Sequence, residues 1–457
     1  RVAIIEPSEG SPAAEAGLQA GDIIMEINGK DMAQGDRTPN ELTSYVSDNL
    51  RGDPGTTCVL KLERPTADST YIPMELKITR GTIRTNPVPY YGMVDKNIGY
   101  IAISTFAIEG CSKDIKKALI ELKQQGATSI VLDLRGNGGG LLSEAVNVVN
   151  FFVPKGKEIV VTKGKIKQAG STYKTSNEPI DMEIPLTVLV DGATASAAEI
   201  VSGSLQDLDR AVIVGNRTYG KGLVQVPREL PYNSSMKVTT AKYYIPSGRC
   251  IQAIDYAKRN ADGSVARIPD SLTTVFHTAA GREVRDGGGI RPDVEVKAER
   301  FPNIMFYLLN DDMIFDYATQ YCIKHPNIGE VKDFSVTDDD YDDFKQMLKK
   351  RNFTYDRQSE KSLKNLKEIA EFEGYMEGAS EEFAALEKKL THNLDHELNR
   401  FSKQIRKAIA EEIVKRHYFQ RGVILERMKD DADLTKAIET LKDKEGYTKI
   451  LSVPADK

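Results

Sequence analysis

Three segments of this chain hold residues whose types and spacing can do chemistry on one another. The run Asp133-Leu134-Arg135-Gly136-Asn137-Gly138-Gly139-Gly140 follows an apolar stretch and opens a helical pattern. A loop of this kind aims backbone N–H groups at a negative oxygen. It can cradle a dinucleotide, form an oxyanion hole or make a plain strand–helix turn. A dinucleotide site asks for an acidic residue closing the next strand, where Ile159-Val160-Val161 runs into Thr162 and Lys163. In the second segment, Asp191-Gly192-Ala193-Thr194-Ala195-Ser196-Ala197-Ala198-Glu199, Ser196 stands at a predicted helix start among small residues. It can serve there as a nucleophile, whose developing negative charge the helix N-terminus favours. It can equally be an N-cap. In the third segment, Gly220-Lys221-Gly222-Leu223-Val224-Gln225, an extended strand turns Lys221 and Gln225 to one face. A lysine shielded from water is a usable base near neutral pH, although an exposed turn lysine accounts for Lys221 taken alone. A P-loop is excluded, because Gly222 follows the lysine and no helix does.

The three together favour acyl transfer. A serine nucleophile needs a base, and the α/β region offers only His277 among histidines. A Ser–Lys pair is the established alternative to Ser–His. The glycine loop adds the donors that a tetrahedral intermediate requires.

The elements that must position these residues follow from the apolar pattern. Residues 1–82 read as a small β-rich module with strands at Val2–Ile5, Asp22–Ile27, Cys58–Leu62 and Glu75–Ile78. A tight turn falls at Asn28-Gly29, a short helix at Pro12–Ala16 and a longer one at Pro39–Leu50. Residues 83–300 alternate strand and helix. Strands fall at Ile98–Ile103, Ile130–Leu134, Leu186–Val190 and Ala211–Val214, with helices at Ser112–Gln125, Leu141–Phe152 and Ala197–Gln206. That order predicts a largely parallel sheet. Residues 301–457 read as an all-α domain of charged amphipathic helices, with Leu394, Leu398, Phe401 and Ile405 on one stripe.

In this order the three segments resemble the motifs of the carboxy-terminal processing peptidases, or tail-specific proteases. Their pattern is an Asp-Leu-Arg-Asn-Asn-(Pro or Gly)-Gly-Gly loop, then Ser-Ala-Ser-Ala-Ser-Glu, then Gly-Lys-Gly-x-Val-Gln. Tyr243-Tyr244-Ile245-Pro246-Ser247-Gly248-Arg249 and Gly287-Gly288-Gly289-Ile290-Arg291-Pro292-Asp293 also resemble family signatures. Glu9-Gly10-Ser11-Pro12-Ala13 and Ala16 to Ile24 resemble the family's PDZ domain, whose carboxylate-binding loop would precede Val2. The resemblance covers about residues 1–300. It implies a multidomain α/β protein: a PDZ module, a protease core of the ClpP/crotonase-like type and the all-α C-terminal domain. It implies Ser196 as nucleophile, Lys221 as base and Gln225 as the residue orienting the lysine. Ala197, with Gly139 or Gly140, would form the oxyanion hole. Gly136 stands where the family has asparagine, and Thr194 and Ala198 where it has serines. No dyad residue is affected, so activity is expected to survive.

The function expected is that of a serine endopeptidase acting near flexible protein C-termini through an acyl-enzyme. The rival is a PDZ-bearing scaffold or adaptor with a degenerate protease core. No cofactor or metal is implied, and the family pattern leaves room for an activating partner protein. The chain starts at Arg1 without a methionine. A processed, exported protein of the bacterial periplasm is expected, with room for a membrane anchor in a removed N-terminal segment.

The remaining features read plainly. A net charge of −5 lacks the basic footprint of nucleic-acid binding. No apolar run is long enough to span a bilayer. Cys58, Cys111, Cys250 and Cys322 lie too far apart for a zinc ribbon or a disulfide framework. His392 and His396 have metal spacing on a helix but fall opposite the Leu394/Leu398 stripe, on a solvated face. Asp338, Asp340 and Asp342 suggest a calcium loop, but Asp343 and Lys349 occupy the positions that need glycine and glutamate. Thr337 followed by acids, with lysines at the end, reads as a dipole-matched helix.

Overall fold

The computed structural model describes residues 1–452 apart from 34, 69, 166–169, 233, 260–264 and 391–392. They form two bodies: Arg1–Arg84 with Glu299–Lys429, and Thr85–Ala298 with the segment from Asp430 onward.

The first body begins with β1 (Val2–Ala3), α1 (Pro12–Glu15), β2 (Ile23–Ile27), β3 (Lys30–Asp31), α2 (Pro39–Leu50), β4 (Thr57–Pro65) and β5 (Tyr71–Thr79). The strands form an antiparallel sheet in the order β1-β2-β4-β5, with β3 paired to β2. Asn28 and Gly29 both take positive φ, 51° and 78°, as the primed turn between β2 and β3 demands. Cys58, Leu60 and Leu62 alternate into the core. Leu42 and Val46, one turn apart on α2, close it. Thr38 and Glu41 cap that helix reciprocally, with Pro39 in its first turn.

The second body carries β6 (Tyr90–Asp95), β7 (Ile98–Ala102), α3 (Cys111–Gln124), β8 (Ser129–Asp133), α4 (Leu142–Val149), β9 (Glu158–Gly164), β10 (Ser171–Lys174), β11 (Leu186–Val190), α5 (Ala197–Asp207) and β12 (Val212–Gly215). Then come β13 (Leu223–Leu230), β14 (Ser234–Tyr244), β15 (Ile254–Arg259), β16 (Val265–Arg267), β17 (Val275–His277), β18 (Glu283–Arg285) and β19 (Val294–Glu295). The main sheet runs β19-β12-β11-β8-β7-β6 and is parallel except for the β6–β7 pair. A second, antiparallel sheet, β10-β9-β14-β13, was foreseen only in part, at Ile159–Val161 and in the extended reading of the segment that enters β13. β15–β16 and β17–β18 are separate two-stranded ribbons.

The first body resumes with α6 (Asn303–Asn310), α7 (Met313–Lys324), α8 (Asp338–Lys350), α9 (Gln358–Phe372), α10 (Met376–Leu390), α11 (Leu394–Arg400) and α12 (Ser402–Met428). Its core joins Ile304, Leu308, Phe344, Leu398, Ile405 and Ile413. The predicted Leu394–Ile405 stripe is present, but the helix is interrupted at Phe401. Thr337 and Asp340 cap α8 reciprocally, with lysines in its last turn. His396 is exposed, while His392 lies outside the described residues.

Two helices, α13 (Ala432–Lys442) and α14 (Lys444–Leu451), close the chain. They belong with the α/β body, whereas the sequence grouped them with 301–429. The main sheet explains why. Its inner strands β7, β8, β11 and β12 are buried along their whole length, and a parallel sheet needs cover on both faces. Ile130, Leu132, Val188 and Ile213 meet the side chains of α3, α4 and α5. The alternate residues point to the other face. There α13 packs on β8, β11 and β12, burying Leu434, Ala437 and Leu441.

Candidate active site

The glycine loop and the serine segment leave the C-terminal ends of the adjacent parallel strands β8 and β11. Open α/β sheets place their sites at this edge. Hydrogen bonds zip the two loops together. Ala195 N donates to Asn137 O at 2.9 Å, and the buried Thr194 hydroxyl donates to Leu134 O at 2.9 Å. Gly136 N donates to Asp191 Oδ1 at 3.0 Å. The threonine found in place of a family serine thus performs a bond that a serine hydroxyl could also make.

Ser196 is the residue preceding α5, with φ 57° and ψ −118°. That conformation is costly for a residue with a Cβ, and such strain concentrates at functional sites. It is held by close packing. A Cβ on Gly139, whose φ is +94°, would lie 2.7 Å from Ala195 O, 2.8 Å from Ala197 N and 2.8 Å from Ser196 Cβ. Only glycine allows the two loops to approach this closely.

Glu199, three residues into the helix, is fully buried. It accepts from Ser196 N at 2.9 Å, Thr218 Oγ1 at 2.5 Å, Gly220 N at 2.7 Å and Lys221 N at 2.8 Å. Burial pushes its carboxyl above the usual range, against the downward pull of those donors. Tyr243 on β14 adds a second bridge. Its hydroxyl bonds Lys221 O and lies 3.3 Å from Ser196 O. Burial raises the Tyr243 phenol far above its ordinary value. Neither residue was assigned a role from sequence. Glu199 carried a signal, since glutamate at the third helical position is the second half of a capping box. Tyr243 opened a segment resembling a family signature, but nothing in the sequence tied its hydroxyl to Ser196 or Lys221.

Lys221 is half-buried and Gln225 exposed. Both line a cavity of about 590 Å3 with Gly138, Ala195, Tyr219 and Leu223. Their common side does not come from strand alternation as expected. Lys221 precedes β13, and the pairing with β14 shifts between Val224 and Gln225. Instead, Gly220 and Gly222 press against the following chain. A Cβ would lie 2.3 Å from Ala253 Cβ at the first and 2.8 Å from Gln252 N at the second. Gln252 Oε1 accepts from Gly222 N at 2.8 Å. Among the described residues, no hydrogen bond joins Ser196 Oγ to Lys221 Nζ. His277 is exposed on β17 and does not line the cavity.

The oxyanion candidates differ in readiness. Gly139 N donates to Asn137 Oδ1 at 2.9 Å, so that amide is engaged. Among the described residues, the amides of Gly140 and Ala197 donate to nothing. Asn137 is itself buried, its side-chain amide donating to Ile103 O at 2.8 Å.

Residues 97–258 match the model of "Peptidase family S41". Residues 4–64 match that of a "PDZ domain", and 304–441 that of a "Probable PDZ-protease, C-terminal helical domain". The carboxy-terminal-processing protease of Bartonella bacilliformis is 38% identical over 55% of this chain and 56% of its own length. The carboxyl-terminal-processing protease of a Picosynechococcus strain is 39% identical over 53% of this chain and 56% of its own. Among solved structures, a photosystem II D1 C-terminal processing protease is 29% identical, covering 66% of this chain and 69% of that one, with a TM-score of 0.36. The chain spans just over half the length of these curated relatives.

Proposed function

From the match of residues 97–258 to peptidase family S41 and the likeness to carboxy-terminal processing proteases, we propose that this chain is a carboxy-terminal processing peptidase, a serine endopeptidase cutting proteins near their C-termini. Lys221, as the free amine, takes the Ser196 hydroxyl proton. The alkoxide attacks a peptide carbonyl, and the Ala197 amide with that of Gly140 or Gly139 holds the oxyanion. Use of Gly139 requires Asn137 to release its amide. The ammonium of Lys221, oriented by Gln225, returns the proton to the leaving amine. Water then resolves the acyl-enzyme.

The observation that carries this reading is the strained Ser196 at the N-terminus of α5, tied through Glu199 to the backbone of Lys221. A degenerate scaffold has no need to keep such strain. The two side chains need not touch before substrate arrives, because catalytic hydrogen bonds often tighten only in the Michaelis complex. The substrates in this reading are flexible protein C-termini, which a PDZ module captures by strand addition. The setting is the bacterial periplasm.

A fluorophosphonate probe and a disordered peptide substrate test the proposal together. The folded wild-type chain is expected to label at Ser196 and to cut the peptide, and Ser196→Ala to do neither. A folded wild type that neither labels nor cuts overturns it.

A further inference from the structure

Arg135 stands two residues beyond β8, inside the glycine loop, and its guanidinium meets three carboxylates. Toward Asp133, Nε lies 3.0 Å from Oδ1 and Nη2 lies 2.6 Å from Oδ2. Toward the C-terminal segment, Nη1 donates to Asp431 Oδ1 at 2.9 Å and Nη2 to Asp431 Oδ2 at 2.7 Å. Nη1 also reaches Asp433 Oδ2 at 3.1 Å. The Asp431 side chain is only 8% exposed and that of Asp433 18%. Paired two-point bonds between a guanidinium and carboxylates fix orientation as well as distance.

We propose that Asp431 and Asp433 are positioning residues for the peptidase centre: through Arg135 they hold the glycine loop in register with the nucleophile turn. The inference rests on the peptidase reading above. The path is short. Arg135 leads to Asn137, whose carbonyl accepts from Ala195 N and whose side chain accepts from Gly139 N. Gly139 packs against Ser196 and Ala197.

Docking of the C-terminal helices does not itself need the clamp. Leu434, Ala437 and Leu441 are buried. Tyr447 Oη lies 2.9 Å from Leu186 N and 3.2 Å from Leu186 O. Lys442 pairs with Asp95 at 2.5 Å. The two aspartates therefore have something left to do once α13 is in place.

The test uses the full chain with Asp431→Asn and Asp433→Asn combined. Asparagine still caps α13, where Asp431 Oδ1 accepts from Leu434 N at 2.9 Å, but it carries no charge for Arg135. We expect kcat to fall at least about tenfold, a part of the loss seen when an oxyanion donor is removed. KM should stay within about twofold, because ground-state binding is untouched. Hydrogen exchange at the amides of 136–140 should accelerate. Asp431→Glu with Asp433→Glu should recover part of kcat. Lys442→Ala, which cuts a different ion pair of the same segment, should leave kcat and loop exchange at wild-type values. Unchanged kcat in the doubly substituted chain overturns the inference. So does an equal kcat loss in Leu434→Ala, because the segment would then matter only as a docked helix. A wild type without activity overturns the peptidase reading instead. Loop exchange then decides alone, and equal rates in wild type and variant overturn the clamp.

Discussion

The backbone amides of Ser196 and Lys221 donate to the same oxygen of Glu199, at 2.9 and 2.8 Å. Their carbonyls share the hydroxyl of Tyr243. The two proposed catalytic residues are thus coupled through their main chains, leaving both side chains free to meet a substrate. An ionised carboxylate only accepts hydrogen bonds, so one buried glutamate can gather four donors that would otherwise lie unpaired.

Ser196→Ala and Lys221→Ala should each abolish peptide hydrolysis while near-UV circular dichroism and thermal midpoint stay close to wild type. Among the described residues, no histidine lines the cavity to replace the lysine. Gln225→Ala should be milder, since it only orients Lys221. Appreciable turnover by Lys221→Ala would refute the dyad.

Glu199→Gln should remove most activity, because the amide nitrogen cannot accept from the donors it faces. Its effect on stability should depend on pH. The native carboxyl lies above its ordinary value of 4.5 through burial, so the native state holds the proton more tightly than the unfolded chain. Its contribution is fully present below that ordinary value and is lost as pH rises through the raised one. Urea unfolding of wild type minus variant should therefore decline from pH 4 toward neutrality. A difference that grew with pH would mean the four donors outweigh burial.

Gly139→Ala should cost about 1–3 kcal/mol through overpacking at a positive φ and should slow fluorophosphonate labelling. Gly136→Ala is the comparison. It also has positive φ, but its Cβ meets nothing within 4 Å, so labelling should be near wild type. Equal slowing by both would show that loop conformation, not contact with Ser196, sets the rate.

Tyr243→Phe should lower stability by about 1–3 kcal/mol, the usual cost of stranding buried carbonyls. It should lower kcat more than it raises KM, because the Ser196 and Lys221 backbones lose a shared donor. A thermal midpoint and kcat both at wild-type values would show that the hydroxyl is dispensable.

Much of this protein was legible before any coordinates, wherever the physics is local. Asn28-Gly29 turns the chain because both positions accept positive φ. Pro39 begins α2, and Thr337 with its acids begins α8, because helix starts involve only neighbours in sequence. The apolar runs of β8 and β11 announced strands of a largely parallel sheet, and Ser196, Lys221 and Gln225 stood out by type and order. What covers the far face was not legible, because any amphipathic helix could do it. Only the folded chain shows Leu434, Ala437 and Leu441 in that place. The sequence left Gly139 and Gly140 equivalent. Folding distinguishes them, because Asn137 curls back onto the Gly139 amide. Nor could residue types reveal that Glu199 and Tyr243 join Ser196 to Lys221, or that Ser196 sits at φ 57°. Each depends on contacts between segments far apart in the chain, which tertiary packing alone decides.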